Sequence, residues 1–122
     1  MRVQHADTRR RLPKDRAART RKFDVAGHEG YVTIGYYEDG TPGEIFVHMS
    51  KQGSTVSGLM DALATSWSML LQYGVPMGKI VEKFEHTRFE PAGISDLGEV
   101  TSILDYLAKL LTRELDEPQE AE

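Results

Sequence analysis

The sequence predicts a small α+β domain, a three-stranded antiparallel sheet with two to three helices packed on one face. Three observations predict it. Residues 22–50 alternate polar with β-branched or aromatic side chains, residues 54–74 repeat apolar side chains at helical spacing, and two shorter apolar stripes follow. At 122 residues the chain is one domain, long enough to bury a core without disulfides or a structural metal.

The first 21 residues are expected to be a basic flexible arm, because they hold Pro13 and few apolar side chains. Strands are expected at 22–26, 30–37 and 43–50. The last two are joined by a hairpin loop in which Asp39, Gly40, Pro42 and Gly43 supply the turn chemistry. Side chains alternate between the faces of a strand, so Val32, Ile34 and Tyr36 share a core face with Ile45, Val47 and Met49. The opposite face carries Tyr31, Thr33, Tyr37, Phe46 and His48 around Gly35. It is too aromatic for a plain solvent face and reads as a partner surface, with Arg88 in the 86–93 loop as a further recognition residue.

The helix starting near Ser54 carries Val56, Leu59, Met60, Leu63, Trp67, Leu70 and Leu71 on one stripe and ends at Gly74 and Pro76. Met77, Ile80, Val81 and Phe84 form the stripe of a second helix. Asp96 and Glu99 read as the capping box of a third, whose stripe is Val100, Ile103, Leu104, Leu107 and Leu111. The domain therefore spans 22–115. The acidic residues 116–122 read as a disordered tail.

Between the third strand and the first helix lies KQGSTVSGLMDALAT, residues 51–65. Its Gly53, Ser54 and Thr55 allow two readings. Either the hydroxyls cap the helix, or the open N–H groups, the helix dipole and Lys51 together receive a phosphate or carboxylate. No Walker loop is present, since the lysine precedes the glycine and GxxxxGK[ST] is absent.

Other chemistry is bounded by composition. There is no cysteine, which removes thiol nucleophiles, thiyl radicals and cysteine-bound zinc. Four scattered histidines without ligand spacing argue against a metal site. No stretch approaches the roughly 20 apolar residues of a membrane span, and no apolar signal segment opens the chain, so a cytoplasmic protein is expected. Charge is lopsided: residues 1–22 carry +7 and the remainder −11, for a net −4. Arg9, Arg10, Arg11, Arg16 and Arg19 make the arm either a solvated linker or a handle for nucleic-acid phosphates or an acidic protein.

Taken together, RRRLP (9–13), residues 22–65, LQYGVP (71–76) and KFEHTRFEPAG (83–93) resemble the C-terminal region of adenosylcobalamin-dependent, class II ribonucleotide reductases, the TSCPD domain. The resemblance runs over roughly residues 9–110. In that family the barrel that binds cobalamin and nucleotide, and supplies the radical cysteine, lies upstream of this region. The resemblance therefore implies a freestanding, non-catalytic auxiliary domain or small subunit of such a reductase. It implies no catalytic residue here, and adenosylcobalamin only by way of a partner chain. A nucleic-acid or regulatory module using the arm, and a homo-oligomeric scaffold joined through the aromatic face, are the alternatives.

Overall fold

In the computed structural model of the chain, which describes residues 8–116, antiparallel pairing starts earlier and ends later than the sequence pattern predicts. Strand β1 runs from Ala18 to Val25, β2 from His28 to Tyr36 and β3 from Pro42 to Met49. Helices α1 (Ser54–Gln72) and α2 (Met77–Phe84) follow, then the short strands β4 (Gly93–Ser95) and β5 (Gly98–Val100), and finally α3 (Ile103–Asp116). The fold is α+β as expected, but the sheet has five strands in the order β3-β2-β1-β4-β5, not three.

Strand β1 is thus central. It pairs with β2 from Ala18↔Gly35 to Val25↔His28 and meets β4 at Val25↔Ser95. The boundary expected at residue 21 falls inside it. The run Arg19-Thr20-Arg21-Lys22 hides the strand, because none of these side chains signals an apolar face.

The capping box is also replaced. Ser95 to Gly98 form the turn of the β4–β5 hairpin, with Gly98 at φ +103° and Ser95 Oγ donating to Gly98 O. Asp96 sits in that turn and Glu99 in β5, while α3 starts only at Ile103. Ser102 Oγ accepts the N–H of Asp105, three residues on.

The core is one apolar cluster. Phe23, Val25, Val32, Ile34, Tyr36, Ile45, Val47 and Met49 come from the sheet, and Met60, Trp67, Ile80, Tyr106, Leu107 and Leu111 from the helices. The core face read from β2 and β3 holds at every position. Phe23 packs on Tyr106 with ring centroids 5.0 Å apart, and Trp67 on Phe84 at 5.2 Å.

Helix α1 packs chiefly on β3, at the sheet edge, and satisfies that edge with polar side chains. Ser68 Oγ accepts the Ile45 N–H at 2.8 Å, and Gln72 Nε2 donates to Gly43 O at 2.9 Å. Its buried seam is Met60, Ala64, Trp67, Ser68 and Gln72. Three members of the expected stripe, Val56, Leu59 and Leu70, are exposed instead. A helix on an edge strand needs a narrower seam than one crossing the middle of a sheet.

Close packing makes Gly30 a sensitive position. A Cβ there would lie 2.6 Å from the carbonyl oxygen of His48 and 2.7 Å from the Phe23 ring, so backbone would have to move. Gly30→Ala is expected to lower stability by about 1–3 kcal/mol in urea unfolding. An unchanged midpoint would contradict the tight β1–β2–β3 packing.

Candidate functional site

Among the described residues, exposed large apolar or aromatic side chains include Tyr31 and Phe46 on the uncovered face of the sheet, Val56, Leu59, Met69 and Leu70 on α1, and Phe89 and Ile94. On the sheet, register places Thr20, Thr33 and Phe46 in one cross-strand row and Lys22, Tyr31 and His48 in the next. Phe46 is 55% exposed and Tyr31 43%, and His48 is exposed beside them. The structure therefore brings together three of the residues expected to form a partner surface.

It does not bring Tyr37 or Arg88 to them. The register shifts between Gly35 and Tyr36, and Tyr37 follows the end of β2. Its ring packs where a Gly43 side chain would stand, and it is buried. Its hydroxyl donates to Arg10 O, and the Arg10 guanidinium lies 3.8 Å from the ring centroid. Arg88 is exposed on the 85–92 connection, where it lines a shallow depression with Asp105 and Lys109.

The N-terminal segment is likewise engaged with the body. Arg9 Nε donates to Gln72 Oε1 at 2.6 Å, and the Arg10 N–H donates to Gln72 O at 2.8 Å. Arg16 makes a two-pronged contact with Glu44, at 2.6 and 3.2 Å. Arg11 and Arg19 are exposed, Arg19 within β1 opposite Ile34. Three of the five arginines read as a phosphate handle thus hold the chain's own residues, which weakens the nucleic-acid reading. The acidic tail expected at 116–122 lies outside the described residues after Asp116.

At the turn before α1, Lys51 adopts φ +60° and Gly53 an extended conformation at the N-cap. No side chain caps the helix, and its first turn has no acidic residue. The capping reading of Ser54 and Thr55 is therefore not met. Lys51, Gly53, Ser54 and Thr55 are all exposed.

Two networks escaped sequence reasoning because each depends on how separate elements are packed together. Arg21 donates to Asp96 Oδ2 at 2.8 and 3.0 Å, as does the Tyr106 hydroxyl at 3.0 Å, which ties β1 to the β4–β5 turn and α3. Burial pushes the Asp96 carboxyl up, but Arg21, the Asp24 N–H and Tyr106 outweigh it and hold the group below its ordinary range. Burial, with Asp96 adding to it against the opposing Arg21, pushes Tyr106 up to about 12. The second network centres on Asp105, buried at the start of α3.

The α1 surface was also missed. Val56, Leu59 and Leu63 line an apolar groove of about 490 Å³ with Phe89 and Pro91 of the 86–91 loop and Leu104 of α3. The sequence signals only an excess, since α1 has more apolar residues than one seam can bury; packing decides which of them stay exposed. Among the described residues no group of three or more His, Cys, Asp or Glu could hold a metal ion. No helix among them is long and apolar enough to cross a membrane.

Comparison with known proteins adds the context. The model of the TSCPD domain family matches residues 4–115. A vitamin B12-dependent ribonucleotide reductase of Rhodopirellula baltica is 51% identical over 106 residues, covering 84% of this chain and 10% of that protein. The enzyme of the same name from Streptantibioticus cattleyicolor is 48% identical over 112 residues, covering 89% of this chain and 19% of its own length. That from Agrobacterium fabrum is 42% identical over 107 residues, or 84% and 8%. The chain thus spans between a twelfth and a fifth of the relatives it matches. No solved structure matches it.

Proposed function

The chain belongs to the TSCPD domain family, and from that premise we propose that it serves a B12-dependent ribonucleotide reductase as a non-catalytic auxiliary domain or subunit. One observation carries the reading: nearly the whole chain matches a short section of proteins bearing that name. Its chemistry agrees with a binding role. With no cysteine it has no thiol to give up hydrogen or electrons to a substrate. Among the described residues, the grooves are open surface features, too small to enclose a corrin together with a nucleotide. Cofactor and substrate belong to the partner in this proposal, and both chains work in the cytoplasm.

The experiment is ribonucleotide turnover with B12 cofactor and a dithiol, recorded for this chain alone, for the part of a B12-dependent reductase outside the matched section, and for both together. No turnover by the chain alone is expected, and its addition should raise the turnover of the other part. Product formed by the isolated chain would remove the non-catalytic assignment.

A further inference from the structure

We infer that the groove between the first half of α1 and the 86–91 loop docks an uncharged, apolar segment of the larger part of a B12-dependent ribonucleotide reductase, an inference that rests on the reading above. Its walls leave large apolar side chains in the open: Leu59 is 65% exposed, Phe89 47% and Val56 39%. Clustered exposure of this kind marks an interaction site rather than scattered surface residues.

Charge selects the class of occupant. Among the described residues that line the groove, Glu90 is the one Asp, Glu, Lys or Arg. Helix α1 carries a single charged side chain, Asp61, in 19 residues. Nucleic acid needs cations against its phosphates and finds none there. Interface cores, in contrast, are depleted of charge and rich in large apolar and aromatic side chains. The sheet face is the poorer candidate, because Tyr31, Phe46 and His48 share it with Lys22 and Glu29.

The occupant is the reductase rather than a second copy because in the relatives the matched section is 8–19% of one polypeptide, so the far longer remainder is covalently tethered to it at high effective concentration.

The test compares Leu59→Glu, Phe89→Glu and, on the sheet face, Phe46→Glu, each as the full chain titrated against the reductase part outside the matched section. Leucine and glutamate have similar helix propensity and position 59 faces solvent, so circular dichroism and melting should be unchanged. Leu59→Glu and Phe89→Glu should each weaken binding by about tenfold or more, while Phe46→Glu binds as the unaltered chain does. Full affinity in both groove variants, or loss confined to Phe46→Glu, would overturn the groove and leave the auxiliary reading standing. No binding by the unaltered chain would end that reading, and the groove with it. Self-association abolished by Leu59→Glu, without reductase binding, would assign the groove to a second copy and also overturn the inference.

Discussion

A variant beginning at Lys22 is expected not to fold. The composition of residues 1–21 argues the opposite, that they are an arm whose removal leaves the body intact. The structure gives them two tasks. Residues 18–21 are half of the central strand, pairing Ala18 with Gly35, Arg19 with Ile34, Thr20 with Thr33 and Arg21 with Val32. Arg21 also holds Asp96 and Tyr106 across the sheet edge. Removing half of a central strand strips the pairing of β2 from Val32 to Gly35 and uncovers Val32 and Ile34 on that side. That loss is comparable with a whole domain stability of about 5–15 kcal/mol. Among the described residues, a variant beginning at Ala18 loses the Arg9, Arg10 and Arg16 contacts and the bond from the Tyr36 N–H to Ala17 O, and should remain folded but melt at lower temperature. Far-UV circular dichroism and thermal melts separate the two, and a native cooperative melt of the Lys22 variant would contradict the placement of β1.

Asp105→Ala is expected to cost about 3–5 kcal/mol at neutral pH. The Asp105 side chain is 1% exposed and accepts from Lys109 Nζ at 2.6 Å, the His86 N–H at 2.7 Å and the Thr101 N–H at 2.9 Å. It fastens the start of α3 to the end of α2 and to the residue after β5. Alanine leaves two N–H groups and an ammonium without their acceptor.

Burial pushes the Asp105 carboxyl up, and the bonds from Lys109, Thr101 and His86 outweigh it, holding the group at about 2. A carboxyl depressed in the folded state stabilises above its unfolded value, near 3.9, and loses that contribution as pH falls toward 2. The contribution is about 2–3 kcal/mol. Urea midpoints should therefore fall more steeply between pH 4 and pH 2 in the unaltered chain than in Asp105→Ala, and parallel profiles would contradict the assignment.

What the sequence revealed and concealed follows from the range of each interaction. The paired faces of β2 and β3 were legible because alternation is local, and α2 because its four apolar positions leave one possible stripe. Strand β1 was read short because Arg19 and Arg21 alternate with Thr20 and Lys22, so no apolar period marks it. Strands β4 and β5, three residues each, are too brief to show any period. Tyr37 was assigned by strict alternation, which fails past the shift at Gly35 and Tyr36.

Of the candidate surfaces, Tyr31, Phe46 and His48 were readable from the same alternation. The groove was not, because all of its apolar residues on α1 fit the helical period equally well. Only the position of α1 on edge strand β3 decides which of them stay exposed. The engagement of Arg9 and Arg10 by Gln72 spans about sixty residues, beyond any local pattern.

The proposed role, binding to a reductase, is tested by isothermal titration of the full chain into the part of a B12-dependent ribonucleotide reductase outside the matched section. Saturable one-to-one binding with a negative heat-capacity change, the mark of apolar burial, is the expected result. Absence of binding at concentrations where both components remain folded would contradict it.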